Sequence, residues 1–191
     1  GSGRSELARA LFGMIKLDAG TITLDGEEVR MRNVRDAIAH GIAYVPEDRL
    51  TEGLFLPHTI NRNIMIVAYR KFFSKFGFVK KLSLKQTVDH WIQELKIVTP
   101  SGELPVQSLS GGNQQKVVIV KWLENDPRVL ILNSPTVGVD VGSKADIHAY
   151  ARKLARRGMG VIIISDDITE ILQNCNRVLV MKRGRIISEH N

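Results

Sequence analysis

The sequence predicts an α/β fold with a mostly parallel sheet. Two observations carry that prediction. Segments with helical and strand spacing alternate along the 191 residues. Two short, wholly apolar runs, Val129 to Leu132 and Val161 to Ile164, read as buried strands, with an amphipathic helix pattern between them. The length suits one domain, or one domain with a small insertion.

The elements follow in order. Residues 5–13 place Leu7, Ala8, Leu11 and Phe12 at helical spacing, with Gly13 as the stop. Thr21 to Val29 reads as a hairpin turning at Asp25-Gly26. A short helix around 33–40 leads to a strand, Ile42 to Val45, broken by Pro46. Residues 51–108 change character: they are helical in pattern, basic, and hold all but one of the six phenylalanines. We read them as an inserted helical subdomain, with a core made of 1–50 and 109–191. Ser143 to Arg157 is an amphipathic helix, with Ile147, Tyr150 and Leu154 on one face, that ends at Gly158. Val178 to Ile187 is a hairpin turning at Arg183-Gly184.

Composition excludes several classes. Hydrophobic residues at 43% and charged residues at 25% fit a globular protein. No apolar run approaches the roughly 18 residues that cross a bilayer, and the opening Gly-Ser-Gly-Arg does not read as a secretory signal. A single cysteine, Cys175, makes no internal disulfide, fits a reducing compartment, and has the apolar neighbours of a small core residue. The net charge of +7 would suit nucleic acid or an anionic membrane face, and equally a solvated surface with no partner. His40, His58, His90, His148 and His190 have no metal-ligand spacing.

Most of the chemistry lies in residues 109–116, Leu-Ser-Gly-Gly-Asn-Gln-Gln-Lys. Two adjacent glycines let backbone approach a phosphate closely. Val117 to Asn125 continues with helical spacing, and Val117, Val120, Trp122 and Leu123 are available for a buried face. Ser110 is a good N-cap, so the first N–H groups and the positive end of the helix dipole face whatever lies in front. A hydroxyl, two glycines and a helix N-terminus make an anion cradle suited to a triphosphate. At the other end, Gly3-Arg4-Ser5 opening a helix matches the tail of a phosphate loop, with its first glycine and feeding strand expected ahead of residue 1. A Gly-Ser-Gly linker is the plainer reading of the same three residues.

The octapeptide resembles the signature motif of ATP-binding cassette (ABC) ATPases, in the form found in bacterial monosaccharide (ribose/galactose-type) importers. The resemblance covers nearly the whole chain. Gly3, Arg4 and Ser5 match the end of Walker A, and Glu47 in Tyr-Val-Pro-Glu-Asp-Arg stands where most relatives carry the Gln of the Q-loop. Asn133-Ser134 follow Val129 to Leu132 at Walker B, Asp140 matches the D-loop, and Asp166 falls at the switch-histidine position. The resemblance implies a RecA-like P-loop NTPase core with an antiparallel β-subdomain and the helical subdomain. It further implies ATP and Mg²⁺ as ligands. In that family two cassettes are fused in one polypeptide, and an Arg in place of the loop Lys marks the C-terminal one. The implied partners are a second cassette (fused or a second copy) and a membrane permease that docks on the helical subdomain and Q-loop. A solute-binding protein outside the cell would act indirectly, and the implied location is the cytoplasmic face of the membrane.

Several positions depart from that pattern. Arg4 keeps a positive charge in a bulkier, planar form. Asn133 offers a neutral carbonyl where an Asp would organise Mg²⁺, which leaves Ser5 as a weak metal ligand. Ser134 replaces the Glu that polarises water, and loss of a general base costs about 10²–10⁴ in rate. A carboxylate at Asp166 repels a triphosphate instead of donating to it. Four changes in one site predict a domain that does not hydrolyse its own ATP, while Ser110, Gly111, Gly112 and Gln114 serve a nucleotide held by the partner. An engineered origin for Asn133-Ser134 stands beside that reading.

Residues 69–81, Tyr-Arg-Lys-Phe-Phe-Ser-Lys-Phe-Gly-Phe-Val-Lys-Lys, interleave aromatics with cations. A stacking platform for single strands, a membrane face, and a subdomain surface whose Phe72, Phe73, Phe76 and Phe78 pack inward or meet a permease loop are the three readings. Two other functions are carried: a soluble ABC protein acting on ribosomes or DNA, and a structural pseudo-ATPase that binds no nucleotide. No linker or nucleic-acid module supports the first, so nucleic acid is not an expected partner.

Overall fold

The computed structural model describes residues 1–72 and 80–191, so the reading of Phe73, Phe76 and Phe78 lies outside the described residues. In chain order the first elements are α1 (Arg4–Leu11), β1 (Ile22–Leu24), β2 (Glu27–Val29), α2 (Val34–Ala39), β3 (Ile42–Val45), α3 (Ile60–Met65) and α4 (Lys81–Glu94). There follow α5 (Gly111–Leu123), β4 (Val129–Asn133), α6 (Val141–Arg156), β5 (Gly160–Ile164), α7 (Ile168–Asn174), β6 (Val178–Lys182) and β7 (Arg185–His190). The chain divides into two compact units: Gly1–Tyr44, Pro127–Pro135 and Leu154–Asn191 form one, Val45–Asp126 and Thr136–Lys153 the other.

In the first unit, β3, β4 and β5 lie in that order in one sheet. β4 and β5 run parallel, from Val129 opposite Gly160 to Asn133 opposite Ile164. Leu130, Ile131 and Leu132 are buried, each contributing roughly 1.5–3 kcal/mol if fully removed from water. β5 departs from the expected buried strand: Ile162 is 39% exposed. Among the described residues it is the last strand of that sheet. Both expected hairpins form. β1 and β2 pair antiparallel around Asp25-Gly26, whose φ values of 53° and 85° suit the twist of a two-residue turn. β6 and β7 pair around Arg183-Gly184 in the same way. Asn33 caps α2 by accepting from the N–H groups of Arg35 and Asp36. Cys175 is not the core residue its neighbours suggested. It is half-buried just past α7, and partial desolvation together with the charge of Glu170 pushes its thiol pKa up.

The second unit is built on α5, buried from Gly112 to Leu123. α3, with Ile60, Ile64 and Met65 buried, packs on it, and α4, with Val88 buried, packs on α3. Helical order between 51 and 108 is fragmentary. A π-helical turn spans Arg49–Gly53 and 3₁₀ turns span Tyr69–Phe72 and Val106–Ser108, beside α3 and α4. Phe72 is buried, so it packs inward. Among the described residues no helix is long and apolar enough to cross a membrane.

Lys121 enters this core with its chain. Its Nζ donates to the carbonyl of Gly53 at 2.6 Å and lies 5.5 Å from the ring centre of Trp122. Desolvation lowers its pKa from 10.5 to about 8. A folded-state pKa below the unfolded one means that charged Lys121 opposes folding at and below pH 8, and that this penalty lifts as pH rises towards 10.5. Urea unfolding of wild type and Lys121→Met across that window should show the wild type gaining about 3 kcal/mol relative to the variant. A gap that does not change with pH would contradict a desolvated amine at this position.

Candidate functional site

In the first unit, the residues read as a degenerate nucleotide site do come together. Gly3 is the N-cap of α1 in a left-handed conformation and, as a glycine, makes no side-chain cap bond to the first N–H groups of the helix. Arg4 opens α1, and its guanidinium is held by three groups. Its Nε donates to Ser2 Oγ at 2.8 Å, its Nη1 to the carbonyl of Ser165 at 2.7 Å, and its Nη2 pairs with the Asp166 carboxylate. Asp166 itself is exposed, and Ser165 is anchored by a hydroxyl bond to Glu170. On the other side of α1's first turn, Ser5 Oγ stands 3.4 Å from Asn133 Oδ1 and 3.3 Å from Nδ2, while Nδ2 also donates to the Tyr44 hydroxyl at 3.2 Å. Ser134 takes φ 50°, with its N–H donating to the carbonyl of Ile164 at 2.8 Å.

These partners test which ligands fit. The uncapped N–H groups of α1 suit an anion. A divalent metal does not fit: the oxygens beside it are the neutral Ser5 hydroxyl and Asn133 carbonyl, already engaged with each other, where Mg²⁺ calls for a hard anionic oxygen. Among the described residues, no group of three His, Cys, Asp or Glu could hold a metal.

In the second unit, Ser110 caps α5 as its sequence suggested. Its Oγ accepts from the Asn113 backbone N–H at 3.4 Å and from Asn113 Nδ2 at 3.0 Å, and Ser110 itself remains exposed. Asn113 Oδ1 in turn accepts from the N–H of Val98 at 3.0 Å. Gln114 is buried, and its Nε2 lies 3.5 Å from the carbonyl of Val106, so the side chain is spent inside the unit. The two glycines have a use within the chain itself. A Cβ at Gly111 would stand 2.7 Å from Arg49 Nη2 and 2.8 Å from the carbonyl of Gly138. One at Gly112 would fall inside the Ser143 side chain and 2.8 Å from Asp140 Oδ2. Asp140 caps the start of α6. Hydrogen bonds from the Ser143 backbone N–H (2.9 Å) and hydroxyl hold its carboxyl below the usual range. Glu47 is exposed, just past Pro46.

Sequence reasoning missed Tyr44, Ser165, Arg49 and Asn113. Tyr44 and Arg49 have partners about 90 positions away, and Ser165 meets Arg4 across 161, separations that local spacing does not point to. Asn113 alone carried a signal, as a polar residue facing back from a helix's first turn towards its cap.

A helix opened by glycine in a unit with parallel strands, and in the other unit a serine-capped helix that begins Gly-Gly, are features of an α/β domain of the P-loop NTPase class. The comparisons give the family. The model of the "ABC transporter" family matches residues 1–137, and the chain belongs to that family. It is 48% identical over 189 residues to the ribose import ATP-binding protein RbsA of Chelativorans sp. (strain BNC1), covering 99% of this chain and 37% of that protein. It is 45% identical over 194 residues to the arabinose import ATP-binding protein AraG of Ralstonia nicotianae, covering 99% and 38%. The chain thus spans little more than a third of the length of these curated relatives. Among solved structures, a dimeric ATP-binding cassette in a post-hydrolysis state with ADP and Pi superposes with a TM-score of 0.82 at 20% identity, covering 99% of this chain and 80% of that one. That likeness shows the ABC ATPase fold.

Gly112→Ala tests the packing of the signature glycines. Overpacking against Asp140 and Ser143 should cost about 1–3 kcal/mol, read as a lower urea midpoint with an unchanged slope. A neutral or stabilising effect would show that the Gly112 face is open.

Proposed function

We propose that this chain is the ATP-binding domain of an importer for a sugar or similar small solute. In this reading its signature motif completes the ATP site of a second cassette, and its own site does not hydrolyse. One observation carries the proposal: the two ends of the chemistry differ in what they leave available. At the first, Arg4 is taken by Asp166, and Asn133 by Ser5 and Tyr44. At the second, an exposed Ser110 and a half-buried Gly111 stand at the N-terminus of a buried helix, the end at which backbone N–H donors are left over. The relatives named for ribose and arabinose import support the sugar assignment.

The geometry supports these roles. Ser110, Gly111 and Gly112 contact the partner's nucleotide, Gln114 supports them from behind, and Asp140 lines the approach. Gly3, Arg4 and Ser5 hold at most an anion or a nucleotide without productive Mg²⁺. Asn133 and Ser134 supply neither a charged metal ligand nor a base. The domain works at the cytoplasmic face of the membrane, where residues 51–108 and Glu47 meet a permease, and a solute-binding protein outside the cell acts through that permease.

The test pairs this domain with a hydrolysis-competent cassette. Ser110→Arg should cut ATP hydrolysis by the pair about 10²-fold, the scale of removing one positioned donor, while Asn133→Ala changes it less than about twofold. Unchanged turnover with Ser110→Arg would sink the proposal. Asp166→Asn, which frees Arg4, should tighten ADP binding to this domain by about 3–10-fold in equilibrium titration. Equal affinities would show that Arg4 does not face the nucleotide.

A further inference from the structure

We propose that Arg49 is a positioning residue that locks the segment behind Glu47 to the signature end of α5 and to the loop leading into Asp140. The inference rests on the reading that Ser110 to Gly112 serve a nucleotide held by another domain.

Arg49 opens the π-helical turn Arg49–Gly53, two residues after the exposed Glu47. The turn is capped by Asp48, whose Oδ1 accepts from the N–H groups of Leu50 (3.0 Å) and Thr51 (3.2 Å). The Arg49 side chain reaches across to a distant loop. Its Nη1 donates to the carbonyl of Val137 at 2.8 Å and its Nη2 to that of Gly138 at 3.3 Å. The guanidinium lies over Gly138, which has φ 66°; a Cβ there would stand 3.4 and 3.5 Å from the two terminal nitrogens. Gly111 closes in from the other side, where a Cβ would stand 2.7 Å from Nη2 and 2.8 Å from Gly138's carbonyl. The first residue of α5, the guanidinium and the two carbonyls therefore occupy one layer with no spare room. Two adjacent carbonyls match a planar fork with two donors, and the single ammonium of lysine cannot reproduce that arrangement.

The far end of the turn is fastened to the same helix. Gly53's carbonyl accepts from Lys121, and a Cβ at Gly53 would stand 3.0 Å from Val118 Cγ2. Beyond the loop, Asp140 and Ser143 abut Gly112. Any shift of the segment behind Glu47 is thus passed, through close-packed and hydrogen-bonded groups, to Gly111, Gly112 and Asp140 together. Arg49 touches no reacting atom. Its work is to keep the signature end of α5 and the Asp140 loop in register with that segment.

The experiment pairs this chain with a hydrolysis-competent cassette and compares Arg49→Ala, Arg49→Lys and Ser110→Arg in ATP hydrolysis by the pair and in amide hydrogen exchange of this chain. Arg49→Ala should lower kcat about tenfold, the scale of one charge-assisted hydrogen bond, with KM for ATP within about twofold. Exchange should quicken at residues 111–113 and 138–140 and stay unchanged in α1 and the β6–β7 hairpin. Arg49→Lys should recover only part of the loss. An Arg49→Ala kcat equal to wild type overturns the inference, and so does faster exchange spread evenly over the whole second unit. If Ser110→Arg also leaves hydrolysis unchanged, the reading of the signature has failed. The local exchange pattern still decides whether the Arg49 clasp exists.

Discussion

Burying α5 along twelve consecutive residues, Gly112 to Leu123, is the constraint on which the second unit depends. Such a helix cannot hide only apolar groups, because this one carries Asn113, Gln114, Gln115, Lys116 and Lys121 into the interior. A buried polar group without a partner costs about 1–3 kcal/mol, and a buried charge more. Partners are therefore supplied from different parts of the chain. Asn113 takes the N–H of Val98, Gln114 faces the carbonyl of Val106, Lys116 pairs with Asp146 at 2.7 Å and reaches the carbonyl of Lys96, and Lys121 takes the carbonyl of Gly53. Each bond ties one surrounding segment to one turn of the helix, so the polar residues fix the arrangement that the apolar ones merely favour.

That arrangement leaves one end of α5 available. Its sides are filled, its polar residues are committed inward, and what remains at the N-terminus is the Ser110 hydroxyl, the glycine backbone and the dipole. The first unit shows the opposite economy. Its helix N-terminus is uncapped, yet the nearby cation is neutralised by Asp166 and the nearby amide is held by Ser5 and Tyr44. The two helix N-termini therefore differ in what surrounds them: side chains near the first are paired with one another, and those behind the second are turned into the core.

Much of this was legible in the sequence where the signal is local. Asp25-Gly26 and Arg183-Gly184 sit at the hairpin turns, Ser110 caps its helix, and Gly13 follows the end of α1 at φ 73°. Burial was harder to read. The apolar run at Val161 to Ile164 looks like a core strand, yet it borders its sheet, and strand position is set by topology that spacing does not encode. Cys175 misled for the same reason. The candidate site was legible as residue types and not as partners. Asp166 reads as a carboxylate that repels phosphate, but its grip on Arg4 spans 162 positions and emerges only in the fold. The paired glycines at 111 and 112 read as room for a phosphate, while the structure shows them also making room for Arg49, Gly138, Asp140 and Ser143.

We propose a chain whose signature serves another cassette while its own site is silent. Locating the ADP trapped after turnover tests it most directly. A full assembly would be stalled with vanadate after hydrolysing a photoreactive ATP analogue, and the labelled peptides identified. One trapped ADP per pair of cassettes is expected, labelling the other cassette's phosphate loop together with the Ser110 region of this chain. Trapped ADP labelling Gly3 to Ser5 and the Asn133 strand of this chain would contradict it.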